Sequence, residues 1–325
     1  MRLAYHAVLA VKDEGEDALA AWRRSSILDG CARRDGSRAG NPAQDHLGDS
    51  VMNSSSDLSF AARANAFERT LSLEAVRSLA PAVFASGAHE RTSSKYTFIP
   101  TERVLAGLMN VGFVPVEARQ THARRSSALH ARHVLRLRRR FETVDLNGSV
   151  PEVVFLNSHD GSSAYQLRMG LFRVVCTNGL IVSRAAFPAY CVSHRGNVME
   201  EVVSGALKIA ENFEGLATQV EQMERRQLLK DDQLRFAERA LALRCPDRTE
   251  AHMQAAQLLN CRRVEDTGND LFTILNRCQE ALMRGGLARW SASGRLSRTR
   301  RIISIKEEVR LNSQLWDLAS EVLAA

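Results

Sequence analysis

Seven polar residues between two apolar runs, Asn157-Ser158-His159-Asp160-Gly161-Ser162-Ser163, carry the side chains from which nucleophilic and acid–base chemistry is built. An imidazole that titrates near neutrality takes a proton from a serine hydroxyl, and a carboxylate can orient that imidazole. His159, Asp160 and Ser162 are therefore the candidate catalytic set of a hydrolase or nuclease. Working triads assemble from distant segments, however, and adjacency in sequence is no evidence for one. Asp160-Gly161 followed by Ser162-Ser163 also has the composition of a tight turn, whose side chains bond the local backbone. The turn is the preferred reading, with a helical start expected at Ala164, and no catalytic residue is assigned.

The second chemistry is recognition of phosphate by guanidinium groups. The chain carries 44 basic residues against 37 acidic ones, a net charge of +7. Only five of the basic residues are lysine, a skew that GC-rich codon usage produces, so the total says less than the placement. Residues 119–141 hold eight arginines and no acid; residues 281–306 hold six arginines and Lys306, again with no acid. These windows carry +15 of a +7 total, which leaves −8 on the remainder and shows that charge is segregated. Within the first window the run His130–Phe141 alternates. His133, Leu135, Leu137 and Phe141 share one face, and Arg132, Arg136, Arg138 and Arg140 share the other. Period two predicts a half-buried strand with a guanidinium ladder facing outward. Such a ladder suits phosphate oxygens by bidentate geometry and counterion release. Arg168, Arg173, Arg295, Arg298, Arg300 and Arg301 complete the candidate nucleic-acid contacts. The competing reading is two solvated faces that pair with the acidic stretch Glu200–Glu224.

No metal or cofactor is expected. His130 and His133 would point to opposite faces of a strand, and nothing in the spacing of His122, His159 and His194 makes them converge. Neither a P-loop nor a dinucleotide glycine fingerprint occurs. Aromatic content is 6%, with few aromatics among the arginines, which argues against a stacking platform for single strands. Six cysteines (Cys31, Cys176, Cys191, Cys245, Cys261, Cys278) show no regular spacing and read as scattered buried thiols.

The elements that must position these groups follow from periodicity and turn residues. Phe60–Leu79 fits one or two helices stopped by Pro81, and Thr101–Val111 a helix with Thr101 as its N-cap and Gly112 as its end. Phe113–Glu117 is strand-like, with Pro115 placing it at an edge. The Arg-rich strand and Glu152–Asn157 form a hairpin around Asn147-Gly148. Leu171–Cys176 and Leu180–Ser183 pair around Thr177-Asn178-Gly179, and Ala189–Ser193 adds a further strand. With no helix between most strands, the sheet is antiparallel-rich. Beyond Gly196-Asn197 helical spacing takes over. A long helix runs toward Leu229, and others cover Gln233–Leu243, about 249–259, 270–284 (capped by Asn269, stopped by Gly285-Gly286) and 304–323. The fold class is α+β: an antiparallel-rich sheet with flanking helices, followed by an all-helical C-terminal region.

Three parts are expected: residues 1–51, an α+β core at 52–215 and a helical region at 216–325. Residues 1–51 lack a sustained period, so they are either a disordered arm or an over-extended start, with translation beginning at Met52. No apolar run approaches the roughly 18 residues of a membrane span. The short Ala7–Val11 stretch is no signal peptide, so a cytoplasmic location is expected.

Several motifs, taken in order, resemble the family called domain of unknown function 932. They are Val114–Thr121, His130-Ala131-Arg132-His133, Leu156–Ser163, Tyr165-Gln166-Leu167-Arg168 and Gly170–Leu180. In the tail they are Glu265–Leu271, Arg284-Gly285-Gly286 and Leu311–Trp316. The likeness covers about residues 52–325. It implies a family carried by plasmids, phages and integrated mobile islands with no assigned activity, so it transfers no catalytic residue. The resulting expectation is a non-enzymatic, DNA-associated accessory protein of a mobile element, in a recombination or DNA-maintenance role. The alternatives are a protein-interaction factor acting on a host-defence or mobile-element protein, and a hydrolase or nuclease using His159 and Asp160.

Overall fold

A computed structural model of the chain describes residues 70–325, apart from 95, 122–126, 141–148, 174–178, 183–186, 188, 194–197, 246–250 and 292. The expectations for residues 1–51, Met52, His122 and His194 lie outside the described residues. Among those described, seven α-helices accompany nine strands. The helices are α1 (Leu73–Leu79), α2 (Thr101–Asn110), α3 (Val198–Ala210), α4 (Phe213–Arg225), α5 (Lys230–Arg244), α6 (Leu271–Arg284) and α7 (Ile305–Ala324). The strands are β1 (Phe113–Gln120), β2 (His133–Arg139), β3 (Ser149–Asn157), β4 (Tyr165–Arg173), β5 (Gly179–Ile181), β6 (Tyr190–Val192), β7 (Ala251–His252), β8 (Ala288–Ser291) and β9 (Leu296–Arg298).

The main sheet is antiparallel throughout, in the order β1-β2-β3-β4-β5, with β6 pairing the first half of β4. This is the expected α+β architecture. β1 lies at an edge, as Pro115 requires, and a bulge between Pro115 and Glu117 shifts its register. The bulge sets Glu117 opposite Arg136 and so carries its carboxylate to the arginine face. On the opposite face His133, Leu135 and Leu137 of β2, Val153 and Phe155 of β3, and Tyr165, Leu167 and Met169 of β4 are buried. These apolar side chains join α2, α3, α4 and α6 in one core cluster that runs from Leu73 to Ala319.

The arginine face is covered as well. Val134, Val154, Leu156, Phe172 and Ile181 pack against Ile305 and Val309 of α7 in a second, smaller cluster. Ser304 starts α7 by accepting the Glu307 backbone N–H, and its i, i+4 pair Ile305 and Val309 reaches the sheet. Further along, Leu311, Leu315 and Trp316 enter the main core. Consequently every residue of β3 is buried, which a strand covered on both faces requires.

Several expectations are corrected. The long helix toward Leu229 is two, α3 and α4, with a break at Glu211-Asn212. Asp270 rather than Asn269 caps α6, accepting from the Thr273 N–H at 2.8 Å. The expected helix at about 249–259 is a two-residue strand and a 3-10 turn, Ala255–Leu259. The C-terminal region is helical but also holds a three-stranded sheet, β7-β8-β9. Ala164 leads into strand β4, which begins at Tyr165, not into a helix. Of the four described cysteines only Cys278 is buried; Cys191 and Cys261 are exposed.

Candidate anion-binding cleft

The loop after β3 turns its histidine away from solvent. Asn157, Ser158 and His159 are fully buried. Thr101 Oγ1 lies 3.0 Å from His133 Nε2 and 3.1 Å from His159 Nε2, and accepts from Asn157 Nδ2 at 3.0 Å. The protons follow from the partners. His133 Nδ1 faces the Ala131 carbonyl at 3.0 Å and so carries the hydrogen, which leaves Nε2 to accept from the Thr101 hydroxyl. The Thr101 oxygen then accepts from both Asn157 and His159, with His159 protonated on Nε2. Burial holds the His133 pKa down at about 4 against the opposing pull of the Ala131 carbonyl, so the ring is neutral at pH 7. Thr101, expected as a helix cap, instead holds two imidazoles at the end of the sheet.

Asp160 and Ser162 do something else. Asp160 Oδ1 accepts the Ser162 backbone N–H at 3.0 Å, closing a turn in which Gly161 has φ 76°, a backbone region that side chains other than glycine's resist. Ser162 Oγ meets Ser158 Oγ at 3.2 Å. His159 therefore points into the core while Ser162 is exposed, and the turn reading accounts for each bond. Among the described residues, no group of three His, Cys, Asp or Glu side chains is placed to hold a metal ion.

The arginine ladder occupies the predicted face, but its centre does not face outward. Side chains of Arg136 and Arg138 are only 14% and 12% exposed, and both close on the fully buried Glu152. Arg136 Nε donates to Glu152 Oε2 at 2.7 Å, and Arg138 Nη2 to Oε1 at 2.6 Å. Arg136 also donates to Glu117 and lies over the Phe172 ring, 3.3 Å from its centroid. Burial alone works against the Arg136 charge, yet Glu152 and Glu117 more than offset it and raise its pKa. On the edge strand, Arg119 donates to both Glu308 oxygens at 2.6 Å and ties α7 down. Arg173 pairs with Asp266 at 2.5 Å. Sequence periodicity exposes the face but cannot reveal the acids, which arrive from other strands and from α7.

The ends of the ladder differ from its centre. Arg140 is exposed beyond β2. Arg132 shares a cleft of about 510 Å³ with Arg168, Lys306 and Arg310, between the sheet and α7. The sheet side adds Leu156, Ser162, Ser163 and Gln166, and the helix adds Ile305, Val309, Ser313 and Gln314. Ser162 of the His-Asp-Ser loop thus does meet two predicted arginines: Arg132 Nη2 donates to its carbonyl at 3.2 Å. Lys306 carries no period-two or motif signal and was not among the predicted contacts; only the tertiary path of α7 brings it there.

Arg295, Arg298, Arg300 and Arg301 lie elsewhere, exposed on β9 and the segments beside it. Arg289 of β8 is exposed beside them, and none of the five forms an ion pair among the described residues. Arg298 Nη1 donates to the Gly286 carbonyl at 2.8 Å, which fixes the hairpin to the end of α6.

The family model described as Domain of unknown function (DUF932) matches residues 88–316. Two Escherichia coli K12 proteins, UPF0380 protein YafZ and UPF0380 protein YfjQ, are each 37% identical to this chain over 257 residues, covering 79% of it and 93% of the relative. No solved structure matches.

Proposed function

The chain belongs to the DUF932 family, and from that premise we propose a non-enzymatic, DNA-associated accessory protein of a mobile element. One observation carries the reading: Arg289, Arg295, Arg298, Arg300 and Arg301 form an exposed basic surface on the β8–β9 hairpin and the segment after it, with no acid between residues 281 and 306. Guanidinium groups left without carboxylates gain most from phosphate oxygens, since each contact releases a condensed counterion. The proposed contact surface is thus this hairpin and the segment after it, together with Arg140, rather than the neutralised centre of the ladder.

Fluorescence anisotropy of labelled single- and double-stranded DNA, titrated across salt, tests it. Loss of four phosphate contacts in R295Q/R298Q/R300Q/R301Q lowers the salt slope by roughly 3–4 units at about 0.9 per duplex contact. Equal slopes and affinities for wild type and variant refute the proposal. A second reading, a protein partner from the host or the mobile element, draws on Leu296 and Ile303. They are 54% and 78% exposed among the arginines, and mixed apolar and arginine surface is typical of protein interfaces. Pull-down with and without nuclease separates the two, because a DNA-bridged partner disappears on digestion.

A further inference from the structure

The first turns of α7 divide the arginine face of the sheet into two clefts of different chemistry. The larger, about 640 Å³, is lined by carboxylates as well as guanidinium groups: Arg119 pairs with Glu308 and Arg136 with Glu117, beside Arg284 and Arg301. The smaller, about 510 Å³, is lined by Arg132, Arg168, Lys306 and Arg310 and by no acid at all. Arg310 is turned to Glu307 on its own helix, which raises its pKa. Lys306 and Arg132 form no ion pair among the described residues.

Two polar atoms in the walls point to a missing partner. Arg132 Nε and Ser313 Oγ are buried without a hydrogen-bond partner among the described residues. Buried donors are nearly always satisfied, and a phosphate oxygen accepts from both types. Between them lies an apolar floor of Leu156, Ile305 and Val309. That floor decides the class of ligand, because the phosphodiester ridge of a duplex has nothing to bury on it, whereas a base or other apolar group does.

We propose that this cleft binds a phosphorylated small molecule of mononucleotide size, with Arg132, Arg168 and Lys306 on the phosphate and the apolar moiety on Leu156, Ile305 and Val309. The volume lies within the roughly 300–1,000 Å³ of small-molecule sites. The ligand's phosphate also bridges α7 to the sheet at the point where Ile305 and Val309 already clamp it. None of these residues belongs to the β8–β9 hairpin, so the site stands apart from the proposed DNA surface.

Isothermal titration of the full chain with AMP, dTMP, ribose 5-phosphate and adenosine at low ionic strength tests it. At least one of the three phosphates binds in the micromolar range, and adenosine binds at least tenfold more weakly than AMP. K306Q, on an exposed side chain, and R168Q each weaken phosphate binding at least tenfold, while R295Q/R298Q/R300Q/R301Q leaves it unchanged. The proposal is overturned if no phosphate binds, if adenosine matches AMP, or if K306Q and R168Q bind as wild type. It is equally overturned if those two variants lose only DNA affinity, which would make the cleft an extension of the DNA surface.

Discussion

Replacing Glu152 with glutamine separates an internal role for the arginine ladder from a surface one. Glu152 is fully buried and its two oxygens receive Arg136 at 2.7 Å and Arg138 at 2.6 Å. A neutral amide keeps the volume but presents an NH2 group to one guanidinium, donor against donor, and takes the anion away from both Arg136 and Arg138. Breaking a buried pair from one side costs about 3–5 kcal/mol. Because both arginines keep 12–14% exposure and can relax toward water, the lower end, about 3 kcal/mol, is expected. For a folded body of this size that lowers Tm by roughly 6–12 °C, and urea unfolding gives the same free energy from the midpoint at constant m. E117Q costs less, since Glu117 is 35% exposed and leaves Arg136 its bonds to Glu152. A solvated ladder makes the opposite forecast: E152Q is then neutral for stability and raises DNA affinity by removing a nearby anion. Stability within about 0.5 kcal/mol of wild type, the usual range for surface changes, would refute the internal role.

Three further outcomes follow from the core. His133 is held neutral with a pKa of about 4, below the 6.5 of an unfolded chain, so the unfolded state binds the extra proton first. Stability is therefore flat above pH 6.5 and falls as pH drops from there toward 4, by up to about 3 kcal/mol; H133Q flattens that limb in urea titrations, and an unchanged slope rejects the assignment. A Cβ at Gly179 would stand 1.4 Å from the Phe172 ring, so G179A is strongly destabilised and F172L recovers part of the loss; a stable G179A with no coupling to F172L would show the ring is free to move. Burial raises the Cys278 thiol pKa well above its ordinary value, so mass spectrometry after brief maleimide treatment finds Cys191 and Cys261 labelled and Cys278 intact until denaturant is added.

What was legible in the sequence is what local physics decides. Alternation from His133 to Arg138 assigned each side chain of β2 to its correct face, because strand pleating is periodic whatever packs against it. Pro115 marked the edge strand, and Gly285-Gly286 the end of α6, for equally local reasons. Failures arose where a partner comes from afar. Thr101 has the chemistry of a cap, but histidines 32 and 58 residues away compete for its hydroxyl and win. Period two cannot tell an arginine facing water from one facing a buried glutamate on the next strand. Nor does it foresee α7, which crosses from a point 150 or more residues downstream to cover that face.

The same distinction governs how charge is to be read in this fold. The first arginine window has eight arginines and no acid, yet Arg119, Arg136 and Arg138 spend their charge on Glu308, Glu117 and Glu152. Those carboxylates lie outside the window in sequence and inside the sheet in space. Segregation along the chain is thus partly cancelled by folding, and the cancellation is uneven. It reaches Arg119, Arg136 and Arg138, where α7, β1 and β3 supply acids, and among the described residues it does not reach Lys306 of the smaller cleft or the exposed arginines of the β8–β9 hairpin. Paired arginines on the sheet fix α7 and the strand register, because each ion pair joins two elements. If the unmatched ones meet phosphate as proposed, salt weakens that binding far more steeply than it weakens the fold, where buried pairs are little screened.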